Sequence, residues 1–364
     1  MNRKKFEPYL GEPDVERLIR TMKRQDVDRV PNFEVLIENS HVEKILGRFA
    51  GNTMAYGGDP AKGVVDTDTV RPMKAKDYID LCKIIGQDVI MMEAIWLPYK
   101  KEDKYGKMVP VADKSVKNLK DYRKLKKPGQ EDIDRTLKYL REYKEAVKGT
   151  KIGVTVLYGA TFTSFYMWII GMADFMMACY EDRLFIDEII EDATEYWVNL
   201  SKAVVKEGLD FIYVGDDIAF KTGLFLPHKL MKEIWVPQMA RIIEPALEAN
   251  IPVQFESDGK INDMMKDLIE MGVDCIRPLD PYGVDYREYK KKYGENVALS
   301  GNIDVEFPLT KGTPEDVEHD VIQHMQVLKP GYGYIAGSSH SIVDYIPHEN
   351  FITMINAIHD YGKY

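Results

Sequence analysis

The stretch Gln254-Phe255-Glu256-Ser257-Asp258-Gly259 sets two carboxylates two positions apart at the end of an apolar run. Side chains alternate between the two faces of an extended strand, so Glu256 and Asp258 are expected on one face with their charges close together. Like charges at that spacing call for a cation, a shared proton or a catalytic use. His340 closes another apolar run, Tyr334 to His340, and an imidazole there can hold a proton, a metal or a substrate. The bias recurs along the chain. Glu34, Glu93, Tyr158, Asp216, Asp217 and Asn302 also stand where apolar stretches end, and together with Trp96 they are the candidate substrate-binding residues. Arg277, Asp280 and Asp304 follow the same pattern. The aromatic residues Phe33, Phe162, Phe165, Tyr166 and Trp168 offer either an apolar wall for an aromatic substrate or ordinary core packing.

Such side chains need a scaffold that brings strand ends together. Short β-branched or apolar runs at 29–34, 88–93, 151–158, 211–218, 252–258, 275–281, 297–304 and 334–340 read as eight strands. Helical patterns lie between most of them, at 75–86, 132–148, 162–180, 183–207, 227–249, 261–271, 314–328 and 348–361. Thr313-Pro314-Glu315-Asp316 is a typical start signal, with a cap, a proline in the first turn and acids behind it. Eight alternations of strand and helix predict a closed TIM-type (β/α)8 barrel, with an open doubly wound sheet as the competing arrangement. The whole of 1–364 is expected as one barrel domain with an N-terminal helical elaboration. Two long polar stretches, 50–74 and 94–130, follow the first two strands and are expected as insertions at the mouth of the barrel.

Composition narrows the function. With 49 basic and 59 acidic residues the net charge is −10, which argues against a nucleic-acid or anionic-membrane surface. Three scattered cysteines, Cys82, Cys179 and Cys275, form neither a disulfide framework nor a thiolate metal cluster and suit a reducing cytoplasm. The start, MNRKKFEPYLGEP, lacks the apolar core of a signal peptide, and the most apolar window, Phe165 to Cys179, is too short to span a bilayer. A cytoplasmic location follows as an expectation, and a homodimer is compatible with it.

The motifs GDD (215–217), FESDG (255–259), RPLDP (277–281), SGNID (300–304) and GSSHSIVDYIPHEN (337–350) resemble the uroporphyrinogen decarboxylase superfamily. That superfamily also holds methyltransferases that move methyl groups to and from corrinoid proteins. The resemblance is carried from about residue 205 onward and only loosely before it. It implies a TIM-type barrel with its site at the C-terminal face. Decarboxylases of the superfamily bind tetrapyrrole carboxylates with an arginine-rich stretch after the first strand, whereas this chain reads PNFEVLIENS (31–40), with Glu34 and Glu38 and no arginine. In the thiol-methylating branch, zinc is held by a His-x-Cys pair after the fifth strand and a cysteine after the eighth. The corresponding positions are Glu256, Asp258 and His340, so the resemblance implies a zinc site with a harder donor set. It further implies transfer of a methyl group from a small methylated substrate, such as a methoxylated aromatic, to the Co(I) corrinoid of a partner corrinoid protein. Two alternatives stand beside it: a metal-free decarboxylase using Glu256 and His340 as proton carriers, and a binding protein that kept the barrel without its chemistry.

Overall fold

The computed structural model describes residues 7–54, 73–94 and 96–364. Seven parallel strands form one curled sheet in chain order: β1 (Val89–Glu93), β2 (Gly153–Tyr158), β3 (Ile212–Gly215), β4 (Val253–Glu256), β5 (Cys275–Arg277), β6 (Ala298–Ile303) and β7 (Tyr334–Ser338). Each connection carries one or more helices, which pack around the outside as a TIM-type barrel requires. The eighth expected strand, 29–34, is instead an extended segment that closes the barrel. Asn32 makes isolated parallel bridges to Gln87, just before β1, and to Ala336 in β7. Pro31 has no N–H to give to a ladder, so pairing there is confined to its carbonyl and to its neighbours. The Ala336 amide donates to the Pro31 carbonyl at 2.8 Å, and the Phe33 amide donates to the Ala336 carbonyl at 2.9 Å.

The strands are buried on both faces, which is why they read as continuous apolar runs. Along β1, Val89 and Met91 point into the barrel while Ile90 and Met92 join the layer under the helices. Leu18 and Met22, from the amphipathic helix Val15–Met22, pack into the inner cluster with Phe33, Phe211, Tyr213 and Ile335. Arg17 of that helix meets the fully buried Asp88 at 2.7 Å, which pins the helix beneath β1. Two expected helices are interrupted. The run 162–180 is split into Thr161–Ser164, a wider π-type turn Phe165–Ile169, and Met172–Glu181 after Gly171, whose φ of 105° ends the first part. The run 227–249 divides at Trp235 into His228–Ile234 and Val236–Glu248, with Pro237 in the first turn of the second. Of the insertions, 94–130 holds a hairpin of Lys100–Glu102 with Met108–Pro110 and a short helix Leu119–Tyr122, whereas most of 50–74 lies outside the described residues. Among the described residues, no helix is long and apolar enough to cross a membrane.

Glu34 completes the closure. It is buried, accepts from the Ser338 amide at 2.9 Å and lies against the Ser338 hydroxyl. That hydroxyl also contacts the His340 carbonyl, and it has one proton to give. A proton on Glu34 satisfies both contacts, and burial pushes its carboxyl up to about 7 against the opposing pull of Ser338 and Arg277. A carboxyl that keeps its proton in the fold stabilises the fold at low pH. That contribution is fully present below the ordinary value of 4.5 and is lost as pH rises through about 7, a difference of roughly 3 kcal/mol. Replacing Glu34 with Gln should therefore flatten the pH dependence of stability between these values, which denaturant unfolding at a series of pH values measures. An unchanged slope would show that Glu34 is ionised in the fold.

Candidate functional site

Because the strands are parallel and in register, their C-terminal ends meet at one rim. Gly215 lies opposite Glu256, and Glu256 opposite Arg277, so β3, β4 and β5 deliver their last residues side by side. A cavity of about 190 Å³ opens above them. One part of its wall is polar: Glu93, Asp216, Asp217, Glu256, Asp258 and Arg277, with His340 and Ser341 from the loop after β7. The other part is apolar, built by Val35, Met54, Trp96, Leu157 and Met167.

The carboxylates behind this rim also fasten its loops. Asp216 is buried and accepts four hydrogen bonds: from the amides of Phe162 and Thr163, the Thr163 hydroxyl at 2.8 Å and the Trp235 indole at 2.9 Å. Burial pushes its carboxyl up to about 7 although these donors all favour the charged form. With its oxygens engaged in this way, Asp216 positions the loop after β2 and also reaches the cavity wall. Thr163 in turn accepts from the Asp217 amide at 2.9 Å, and Asp217 accepts from the Asp258 amide at 2.9 Å. Asp280 accepts from the Gly259 amide at 2.9 Å, so the loop after β4 is held from both neighbouring strands. β4 ends at Glu256, and Asp258 belongs to the following loop. The two carboxylates share the cavity through that loop's path, not through the strand pleat expected from sequence.

Electrostatics follow from this crowding. Burial, then the charges of Asp217, Glu256 and Asp280, raise Asp258 well above the usual carboxylate range, and Arg277 opposes them. Burial also raises Asp217, against the Asp258 amide and His340. His340 is 61 % exposed and places Nε2 3.6 Å from Asp258 Oδ2, so this pair connects the cavity with solvent. Glu256 points to Arg277, whose Nη1 lies 2.9 Å from its Oε2.

The three residues implied as zinc ligands therefore line one cavity, but with Glu256 committed to an arginine. Among the described residues, no group of three His, Cys, Asp or Glu side chains is arranged to hold a metal. A guanidinium against one intended donor does not fit a divalent ion at that place. Of the expected substrate contacts, Glu93, Trp96, Asp216 and Asp217 line the cavity, and Glu34 lies outside its wall. Tyr158 is directed away, into the helix layer, where its hydroxyl donates to Ser201 Oγ at 2.9 Å and its ring packs on Trp197. Asn302 is buried and occupied, with its amide donating to the Leu279 carbonyl at 2.6 Å and its oxygen 2.9 Å from His324. Neither meets the cavity. Most of the aromatic wall is core as well: Phe162 meets Phe175 edge-on and Phe165 stacks on it, while Trp168 packs edge-on against the cavity-facing Trp96. Sequence reasoning passed over Thr163 and Met167 and noted Arg277 as a strand-end residue without giving it a role. The signal for Arg277 was an arginine ending an otherwise apolar strand.

Relatives and a structural neighbour agree with this architecture. The chain is 25% identical over 189 residues to the uroporphyrinogen decarboxylase of Actinobacillus pleuropneumoniae serotype 5b (strain L20) and spans about half the length of that protein, 51%. It is 24% identical over 321 residues to the uroporphyrinogen decarboxylase of Methylobacillus flagellatus, matching 79% of this chain and 86% of that one. A methylcobamide:CoM methyltransferase of Methanosarcina barkeri is 23% identical over 197 residues, 53% of this chain and 54% of its own length. A solved methyltransferase from Methanosarcina mazei superposes with a TM-score of 0.66 over 96% of this chain and 99% of its own, at 14% identity, and shares the fold. The family model for uroporphyrinogen decarboxylase (URO-D) matches residues 75–361, nearly all of the barrel, and the chain belongs to that family.

Proposed function

We propose that the protein is a methyltransferase that moves a methyl group from a small methylated substrate, such as a methoxylated aromatic, to the Co(I) corrinoid of a partner corrinoid protein. Relatives carry names of both decarboxylases and a methyltransferase, so the choice rests on the site. The observation that carries it is the charge of the cavity. Glu93, Asp217, Glu256 and Asp258 face a space of about 190 Å³, and the arginine in its wall is already paired with Glu256. A tetrapyrrole bearing several carboxylates would enter a small, acidic pocket and meet repulsion of several kcal/mol at each close approach. A small neutral or cationic methyl donor meets no such barrier, and Trp96, Met54, Met167 and Leu157 give it an apolar wall.

The chain's own part in such a transfer is to orient the donor and to manage one proton. As the methyl group leaves an ether, the carbon–oxygen bond breaks and the oxygen must take up a proton. The corrinoid supplies the nucleophile that accepts the methyl group. Asp258, raised by burial and then by its acidic neighbours, holds a proton at the cavity wall and gives it to the departing oxygen. His340, mostly exposed and 3.6 Å away, returns a proton from solvent. Thr163 and Asp217 hold the Asp258 backbone in place during the exchange.

Two measurements test this. Mixed with a reduced corrinoid protein and a panel of methoxylated, methylamine and methylthiol donors, the protein should consume the Co(I) absorption and produce a methyl–cobalt band with at least one donor. Release of carbon dioxide from uroporphyrinogen with no change at cobalt would replace methyl transfer by decarboxylation. With an ether donor, Asp258→Asn should slow transfer on the order of 100-fold. The wild-type rate should fall as pH rises through the raised Asp258 value, because the acid form is lost, while the variant's rate stays flat. Equal rates in both proteins would remove Asp258 from the proton path.

A further inference from the structure

Arg277 is a charged side chain with about 1% of its surface exposed. It ends β5 directly opposite Glu256, and its guanidinium reaches in three directions. Nη1 pairs with Glu256 Oε2 at 2.9 Å, and Nη2 donates to the Ser338 carbonyl at 3.3 Å, across to β7. The planar group lies 5.9 Å from the centre of the Phe33 ring, on the segment that closes the barrel. Nε is buried without a hydrogen-bond partner among the described residues, although the guanidinium has five N–H groups to place. The same positive charge favours the ionised forms of Glu34 and Asp258. One cation thus serves carboxylates from the closing segment and from both sides of the β4 end.

We infer that Arg277 is the built-in cation of this site: it takes the charge position that a divalent metal would hold at Glu256, so Glu256 is an ion-pair partner and not a metal ligand. The charges support this. Of the carboxylates facing the cavity, Glu256 is already neutralised, with Arg277 Nη1 2.9 Å from its Oε2. A divalent ion bound at Glu256 would face the Arg277 guanidinium across that carboxylate, and the two positive charges would repel. Of the three implied ligands, Asp258 and His340 are then left, two where a catalytic zinc takes three. Arg277 holds this place whichever small molecule the cavity accepts.

The test uses zinc chloride as the probe and needs no substrate. The purified full-length chain, dialysed against zinc and then against buffer, is assayed for retained metal by elemental analysis and for affinity by titration calorimetry. Wild type should retain no stoichiometric zinc, and Glu256→Gln should leave its weak affinity unchanged. Arg277→Met, which frees Glu256, should bind zinc about tenfold more tightly, and the gain should vanish in the double variant with Glu256→Gln. Circular dichroism checks that each variant folds. Should Arg277→Met fail to fold, Arg277→Lys keeps the charge and should behave as wild type, and the Glu256→Gln comparison decides. One tightly held zinc per wild-type chain, lost on Glu256→Gln, would overturn the inference. Neither result depends on methyl transfer, so failure here leaves that reading standing, and failure there leaves this one.

Discussion

The rim of polar groups exists because the sheet closes between β7 and β1, and the closure is made by a segment that cannot be a regular strand. Pro31 offers a carbonyl but no N–H, so Asn32, Phe33 and Glu34 take over the contacts on both sides. Side-chain bonds then replace ladder bonds. The Gln87 side chain accepts from the Glu34 amide at 2.9 Å, and Asn32 donates to the Ile85 carbonyl at 3.1 Å. Glu34 fills the gap left at the top of this seam and meets Ser338 there. Were the seam to open, Phe33 would leave the inner cluster, Arg277 would lose its apolar floor, and the loop carrying His340 would lose the strand that holds it.

Sequence patterning found the architecture because parallel strands covered on both faces leave long apolar runs that differ from the helices between them. Seven strands lie where those runs lie, and the eighth run has the position of a strand without its bonding. Double coverage also explains the errors at the site. With both faces of β2 apolar, nothing in the sequence says that Leu157 points inward and Tyr158 outward. The same loss of parity moved Asn302 from the cavity to His324. The interruption of 162–180 was written in Gly171, but glycine within an apolar helix has more than one meaning. The grouping of Asp217, Glu256, Asp258 and His340 was legible because the ends of parallel strands must meet, whatever their side chains do.

Charge is what the sequence could not apportion. Counting carboxylates at strand ends shows an acidic rim, but it does not tell which of them face the cavity and which fasten loops. Asp216 and Asp217 are adjacent in sequence and both reach the cavity wall, yet Asp216 has both oxygens engaged by loop and indole donors, whereas Asp217 accepts the Asp258 amide. Asp280, on the neighbouring strand end, is spent on the Gly259 and Tyr282 amides at 2.9 and 2.8 Å. Such carboxylate-to-amide bonds are stronger than neutral ones, and each fixes a loop whose position would otherwise be free.

This division of labour bears on how one barrel serves different chemistries within a family. Loops are costly to hold still, and a site assembled from them needs rigid ties to the strands beneath. Here the ties are carboxylates at strand ends, and Asp216 and Asp217 among them also reach the cavity wall. Exchange of the facing groups, Glu256, Asp258 and His340, alters what the site can bind while Asp216, Asp280 and the Glu34–Ser338 seam keep the loops in place. Arg277 belongs to both sets, since it anchors Glu256 to the carbonyl of Ser338 and also charges the cavity wall. A change at Arg277 would therefore alter scaffold and chemistry together, whereas a change at His340, which stands on the exposed loop, would alter the chemistry alone.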